Sequence, residues 1–437
     1  MNKLKLYLET LTAENLKERV LATSKRFWLE LVCVTLVAIL GWIDMLPGGS
    51  YERQKTLGVL LGVLACGIVM DFPLVLLGEN QKYKYTSIVA RVLLWSGLFV
   101  CFTYWNWVDT DASLSFVLAC LSVVGALVLM IPFGGYFGLV NSNDMPSYNL
   151  MVRLMLYWVL MGVVQGVLLA GGSVLMVAIE ELFDCNISFA VSSGLCILSL
   201  WATACLFYFF VPSGDKLHDE STDKFGILHK GIQFVLLPML MVYIIVILIY
   251  ALRVLLSWEL PVGTVSYLVS GVMFLYIFCY VGLYPKLLDK SSRLSRWMHL
   301  YIPMSMLPLL LLMSVGVIRR VSDYGITVER LYLITMLLWF YGVVITVMVK
   351  QSPRIRWIFM STALLLLVTS AQPFNYTQIC KWVHINQYEQ MMQDNKLTAP
   401  RDTDEYQKTF NSLPVDVQED IIEQQNYLRS QYDYEVE

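Results

Sequence analysis

Charged residues are scarce in this sequence and make up only 15% of its 437 residues. A soluble domain of ordinary composition has about 25% Asp, Glu, Lys and Arg. The scarcity excludes an ordinary soluble globular protein, and the mean hydropathy of +0.61 agrees. The formal net charge of −3 contains no basic excess. We therefore expect no nucleic-acid partner.

Spacings typical of disulfide scaffolds and metal sites are also absent. The nine cysteines form no CxxC pair, and the four histidines form no HExxH motif. All the cysteines except Cys185 and Cys380 lie inside apolar runs, where Cys is usually a small buried hydrophobe. We expect no disulfide framework, no metal site and no cofactor.

The apolar residues show no strand-like alternation, which excludes a membrane β-barrel. They form uninterrupted runs of the length that crosses a bilayer as a helix. Gly58 with Gly62, and Gly162 with Gly166, have the small-xxx-small spacing of closely packed membrane helices. The fold class predicted is an all-α, polytopic transmembrane helix bundle of about eleven spans. These spans are Phe27–Leu46, Thr56–Leu77, Ile88–Tyr104, Leu114–Ile131, Leu150–Ile179, Phe189–Val211, Ile232–Leu256, Val265–Tyr284, Leu300–Val317, Leu331–Val349 and Trp357–Ala371.

Three regions follow from the charge pattern. Residues 1–26 are basic, and they form either an amphipathic helix on the inner leaflet or a polar tail. Residues 27–372 form the transmembrane bundle. Residues 373–437 form an acidic tail, with twelve Asp and Glu against five Lys and Arg, for which we expect short helices or partial disorder.

The loop charges predict the orientation. Lys and Arg concentrate in alternate loops, and the positive-inside rule then puts the N-terminus in the cytoplasm and residues 372–437 outside. The stretch Val317–Tyr341 departs from this bias, because its three arginines fall on the external side.

Three ionisable residues lie in or beside spans on the inner side. Asp71 precedes Pro73 in the second span, Arg91 begins the third, and Arg153 begins the fifth. Ionisable groups inside membranes are costly and need partners, so we expect Asp71 to pair with Arg91 or Arg153. Either a structural clasp between helices or a proton or ion relay fits this group.

A second set of residues lies at the external ends of spans. It consists of Arg253, Arg319, Arg320, Asp323, Tyr324 and Arg330. Guanidinium groups bind phosphate and carboxylate through two hydrogen bonds, and Gly325 permits a turn of positive φ. The set is either a salt-bridge network completed by Glu259 and Glu329 or a binding site for an anion.

The stretches WELPVGTVSYLVSGVMFLYIFCYVGLYP (Trp258–Pro285) and RRVSDYGITVERLYLITMLLWFY (Arg319–Tyr341) resemble the bacterial membrane-protein family DUF4153. The most specific element is Tyr324-Gly325-Ile326-Thr327, followed by Arg330 and Tyr332. The resemblance implies a multi-pass protein of the bacterial inner membrane. It implies no activity and no catalytic residues.

Three classes of function are compatible with these features. A transporter or flippase-like protein for an anionic or lipid-linked substrate is favoured over an enzyme. The alternatives are a membrane enzyme acting on a phosphate-bearing lipid carrier, and an envelope scaffold or sensor. The expected partners are membrane lipids, an anionic or lipid-linked ligand on the external face, and an envelope protein at the acidic tail.

Overall fold

The computed structural model describes most of the chain, and within the described stretches the backbone is helical and contains no β-strand. The described residues are 13–46, 50–79, 83–107, 114–134, 144–183, 188–212, 225–257, 264–351, 354–370, 375–397 and 404–432. The predicted all-α fold class is confirmed.

Every predicted apolar run corresponds to a helix. The helices are α1 Ala13–Arg26, α2 Trp28–Asp44, α3 Tyr51–Gly78, α4 Lys84–Trp107, α5 Leu114–Gly134, α6 Met145–Phe183, α7 Phe189–Phe210, α8 Gly226–Gly231, α9 Leu237–Ser257, α10 Thr264–Gly282, α11 Tyr284–Leu287, α12 Arg293–Arg296, α13 Ile302–Tyr324, α14 Val328–Lys350, α15 Arg356–Ser370, α16 Tyr376–Asp394, α17 Asp404–Asn411 and α18 Val415–Tyr432. Two π-helical turns, Ile232–Leu236 and Trp297–Tyr301, continue α8 into α9 and α12 into α13.

Seven helices of the described chain are long and apolar enough to cross a membrane, judged by length and composition. An eighth is added if Val20–Arg26 and Trp28–Asp44 count as one span. The helices Leu121–Phe133 and Arg356–Thr369 are apolar but shorter. The chain is therefore a polytopic membrane protein, and the count of eleven spans stays a prediction.

The chain bends sharply where the basic N-terminal segment meets the first apolar run. The axes of Val20–Arg26 and Trp28–Asp44 differ by 88°. A helix that continues straight into a span would show no such bend. The right angle is the arrangement expected if α1 lies along the membrane surface while α2 crosses it. Residues 1–12 lie outside the described part.

The structure divides into two compact units. The first contains α1–α4, α6 and α7, most of α5 and the first part of α15. Its core is aromatic: the rings of Phe27 and Phe72 stack at 5.7 Å, and Tyr208 lies 5.1 Å from Phe27. Aromatic rings bury large apolar areas, so this cluster holds α2, α3 and α7 together at one end of the unit.

Close packing of α3 against α4 depends on two glycines. A Cβ at Gly67 would lie 2.5 Å from the Trp95 ring, and a Cβ at Gly78 would lie 2.7 Å from the Ser87 hydroxyl. The glycines predicted from small-xxx-small spacing behave differently, because the space beside Gly58, Gly62, Gly162 and Gly166 is open. The spacing motif therefore missed the residues that bring these helices together.

The second unit contains α8–α14, the remainder of α15 and the tail helices. Its core includes a buried hydrogen-bonded group. The Tyr276 hydroxyl donates to the Met298 carbonyl at 2.8 Å, and the Tyr280 hydroxyl lies 3.2 Å from Nε2 of His299. His299 belongs to the π-helical turn Trp297–Tyr301 and is 4% exposed. Each of these buried polar groups has a partner, as stability requires.

The acidic tail folds into three helices, α16–α18. They share a small apolar core of Tyr388, Leu397, Tyr406, Ile421 and Leu428. The longer of the last two tail helices is α18, which runs from Val415 to Tyr432. The tail is thus more ordered over residues 375–397 and 404–432 than its composition indicates, because its few apolar residues gather in one cluster.

Candidate functional site

The structure joins two of the predicted intramembrane residues directly. On neighbouring helices α3 and α4, Arg91 Nε donates to Asp71 Oδ1 at 2.6 Å, and Arg91 Nη2 donates to Asp71 Oδ2 at 2.7 Å. Two parallel hydrogen bonds of this kind are the strongest arrangement for an arginine and a carboxylate. Arg153 is half-buried on α6, and the ion pair that Asp71 forms is with Arg91.

A third ionisable residue belongs to this site and was missed by the sequence analysis. Glu30, in the first turn of α2, is completely buried, and its Oε1 lies 3.6 Å from Arg91 Nη2. That distance is an ion-pair contact but too long for a hydrogen bond. The signal was available, because Glu30 interrupts the apolar run WLELVCV just as Asp71 interrupts its own.

The three side chains form what we call the buried triad, Glu30, Asp71 and Arg91. Both carboxyl groups are 0% exposed, whereas the Arg91 side chain is 23% exposed. Two carboxylates therefore share one guanidinium in an interior where charges interact strongly. Within the described residues, neither oxygen of Glu30 has a hydrogen-bond partner. Both oxygens of Asp71 accept hydrogen bonds from Arg91, whereas the buried Glu30 is the member of the triad whose side chain has no hydrogen bond among the described residues.

The local sequence explains how the triad is positioned. Pro73 lies inside α3, and it offers no N–H to the carbonyl one turn before it, which leaves polar backbone near Asp71. Gly67 and Gly78 let α4 approach so closely that the short Asp71 side chain reaches Arg91. Phe72, next in sequence to Asp71, belongs to the aromatic cluster. The triad therefore lies beside an apolar core.

An ion-paired clamp joins three helix ends in the same unit. Arg26 pairs with Glu79, and its Nη1 donates to the carbonyls of Val211 and Pro212 at 3.3 and 2.8 Å. The predicted alternation of spans assigns all three ends to the inner side. The clamp is therefore compatible with that alternation.

A second polar contact of the first unit joins two segments that are distant in sequence. Asp144 Oδ2 accepts hydrogen bonds from the backbone N–H groups of Ile355 and Arg356 at 3.0 and 3.1 Å. Its other oxygen lies 3.3 Å from Arg356 Nη2. Asp144 thus caps the start of α15 while it also immediately precedes α6.

The predicted external set lies in the second unit. The turn between α13 and α14 brings the helix ends of Arg319, Arg320 and Arg330 together, and Gly325 has a φ of 74°, as predicted. Arg330 Nη1 donates to the Gly325 carbonyl at 2.6 Å, so this arginine stabilises the turn. Arg319 is exposed and Arg320 is half-buried.

The remaining members of the external set are only partly defined. Arg253 is exposed near the end of α9. Asp323 and Tyr324 form the last residues of α13, but their side chains lie outside the described part, as does all of Glu259. The convergence of these residues on one anion site stays a prediction.

The tail packs against the turn between α13 and α14. His384 Nε2 lies 3.0 Å from the Ile326 carbonyl, and Gln424 Nε2 lies 2.9 Å from His384 Nδ1. The Tyr376 ring packs edge-on against Tyr332, with centroids 4.9 Å apart. The acidic tail is therefore held beside the arginine-containing turn by contacts that the sequence did not indicate.

The sequence was compared with known proteins. It matches the family model "Domain of unknown function (DUF4153)" over residues 27–404. It is 23% identical over 337 residues to an uncharacterised protein of Pasteurella multocida (strain Pm70), a match that covers 76% of this chain and 53% of that protein. The chain thus spans about half the length of this curated relative. No solved structure matches it.

The family match includes the helices of the buried triad, the turn between α13 and α14 and the first tail helix. It confirms the resemblance seen in the sequence, and it extends well beyond the two stretches in which that resemblance was strongest. This polytopic membrane protein belongs to the family described as Domain of unknown function (DUF4153).

Proposed function

We propose that this protein is a transporter of the bacterial inner membrane, of flippase-like type, for an anionic or lipid-linked substrate. The observation that supports the proposal is the buried triad. Ionisable groups inside membrane helices are expensive, and where they persist they usually mark ion or substrate pathways. Glu30 and Asp71 lie on two helices of one unit and share the arginine of a third helix.

A purely structural clasp between helices would need only one acid and one arginine, whereas the triad contains two acids. One aspartate and one arginine, joined by two hydrogen bonds, already neutralise each other. The fully buried Glu30 adds a second acid and no further hydrogen bond within the described part. The surplus carboxyl favours a group that changes its charge during a cycle over a purely structural one.

The external arginines support the substrate class. Arg253 and Arg319 are exposed at helix ends, and guanidinium groups are well suited to phosphate. A phosphate-bearing lipid meets both descriptions of the substrate, because it is anionic and lipid-linked. It would meet these arginines at the depth of the lipid headgroups.

Transport of such a lipid is tested with proteoliposomes that contain fluorescent phosphatidylglycerol. Dithionite destroys only the label in the outer leaflet, so a flippase-like protein makes the inner-leaflet label accessible. We expect the parent protein and Glu52→Gln, an exposed control on α3, to expose this label and Asp71→Asn to do so more slowly. If the inner-leaflet label stays protected with the parent protein, the proposal is wrong for this substrate.

The proposed orientation has the N-terminus in the cytoplasm and the acidic tail outside. Ser291 and Ser430 are both exposed, and the loop charges assign them to opposite sides. In intact cells, an impermeant maleimide should label Ser430→Cys and leave Ser291→Cys unlabelled. Equal labelling of the two variants would contradict this orientation.

The labelling experiment requires that the native cysteines do not react with the maleimide. Burial raises the pKa of the Cys380 thiol to about 11, so this thiol stays protonated and unreactive at neutral pH. Cys185 lies outside the predicted spans and is replaced by serine in both variants. Labelling of both probe cysteines after the membrane is permeabilised provides the positive control.

A further inference from the structure

We infer that Glu30 is a proton-binding site inside the membrane, and that its proton moves to Asp71 when Arg91 changes partner. The inference deepens the proposed function, on which it rests for its role in coupling, because it names the proton as the coupling ion. The geometry of the buried triad is sufficient to point to the site.

The hydrogen bonds of the triad favour a neutral Glu30. Arg91 is already engaged with both oxygens of Asp71, at 2.6 and 2.7 Å, and its Nη2 is 3.6 Å from Glu30. Neither Glu30 oxygen has a hydrogen-bond partner in the described part of the chain, and the residue is 0% exposed. A carboxylate held in this way would be buried with no hydrogen bond within the described part of the chain, which is costly for a charged group. A neutral carboxylic acid removes most of that cost.

The net charge of the triad also favours one bound proton. With both acids ionised, the triad would have a net charge of −1 in an interior of low dielectric constant. Binding one proton makes the triad neutral. Two carboxyl groups that cannot both ionise share one proton for the same reason. A hard metal ion in place of the proton would require several oxygen ligands, and Phe72, next to Asp71 in sequence, is apolar and buried.

Arg91 can exchange between two partners, Asp71 and Glu30. In the first pairing, which has the contacts seen in the structure, Asp71 is the carboxylate bound to Arg91, and the inference makes Glu30 the carboxylic acid. If Arg91 Nη2 moves towards Glu30, the O–H bond of Glu30 breaks, and the proton passes to the Asp71 carboxylate that Arg91 has left. One O–H bond breaks and one forms, so atoms and charge balance, and the triad stays neutral throughout. Such a pair of states is what coupling to a conformational change requires.

The test is infrared spectroscopy of the purified full chain in lipid. A buried carboxylic acid shows a C=O stretching band that is distinct from that of a carboxylate. We expect the parent protein to show this band at neutral pH, and its intensity to fall as the pH rises. Glu30→Gln should lose the band, Glu30→Asp should shift its frequency, and the exposed control Glu52→Gln should keep it.

The other outcomes overturn the inference. If the parent has no such band at neutral pH, Glu30 is ionised. If the band disappears in Asp71→Asn and persists in Glu30→Gln, the proton resides on Asp71. If the band disappears when sodium chloride replaces choline chloride at constant pH, sodium displaces the proton from the site, and the assignment of the proton as the coupling ion is wrong.

Infrared spectroscopy tests the proton site at Glu30, and the lipid-transport assay tests the flippase-like function, so each proposal can be refuted without the other. A band that depends on Glu30 in a protein that moves no labelled lipid would retain the proton site and remove the proposed flippase-like function. Lipid movement in a protein without the band would retain the flippase-like function and remove the proton site. Glu30→Asp serves as the folding control for Glu30→Gln, because it keeps the acid and changes only its reach.

Discussion

Replacing Arg91 by glutamine will destabilise the protein more than replacing Asp71 by asparagine, although the two residues form one ion pair. Arg91→Gln leaves two buried carboxyl groups with no cation, and breaking a buried pair in this way costs about 3–5 kcal/mol. Asp71→Asn still leaves Arg91 next to Glu30, whose Oε1 is 3.6 Å away. Glu30 can then become the partner, so we expect a smaller loss of about 1–3 kcal/mol.

The measurement is the free energy of unfolding in mixed micelles of increasing denaturing detergent. Arg293→Gln, at an exposed position, is the matched control and should leave the free energy of unfolding unchanged. The double variant Glu30→Gln, Asp71→Asn removes the reserve partner of Arg91, so its loss should exceed the sum of the two single losses. An Asp71→Asn loss as large as that of Arg91→Gln, with additive double-variant behaviour, would show that Glu30 does not act as a second partner.

The pairing of Asp71 with Arg91 illustrates what the sequence can predict. Two apolar runs joined by a short loop form antiparallel neighbours, and a polar residue in one run needs a partner at the same depth in the other. Both facts can be read from neighbouring parts of the sequence. The pairing therefore follows from the spacing of the residues and from the free-energy cost of an unpaired charge in the membrane. Glu30 obeys the same rule and was accessible to it, but its helix meets α3 and α4 through packing that the sequence does not display.

The tail shows where composition misleads. A low content of apolar residues predicts little burial, yet Leu397, Tyr406 and Leu428 come from three segments and meet in one core. His384 then fixes the tail to the carbonyl of Ile326, 58 residues earlier in the chain. Average composition cannot show whether apolar residues converge, because convergence depends on turns between the helices.

The residue that caps α15 could not be predicted from the sequence. The residue before this helix is Ile355, whose side chain cannot accept a hydrogen bond. The acceptor comes instead from Asp144, 211 residues earlier in the chain. Arg356 directly precedes the predicted span Trp357–Ala371, and no periodicity or motif links it to Asp144.

Asp144→Ala should therefore destabilise the first unit strongly. The substitution leaves the N–H groups of Ile355 and Arg356 without their acceptor, and it removes the carboxylate from Arg356, whose side chain is only 21% exposed. Hydrogen bonds to a charged acceptor contribute about 1.5–3 kcal/mol each, and an acid at a helix N-terminus also interacts favourably with the helix dipole. We expect the two lost bonds together to cost about 3–6 kcal/mol, measured by unfolding in mixed micelles.

Asp144→Asn separates the cap from the ion pair. The asparagine side chain has a carbonyl oxygen that can still accept from the two backbone N–H groups, but it has no charge for Arg356. Because asparagine caps helices about as well as aspartate, we expect this variant to keep at least half of the stability that Asp144→Ala loses. Equal losses in the two variants would assign the whole effect to the ion pair with Arg356, and Arg356→Gln should then cost as much as Asp144→Ala.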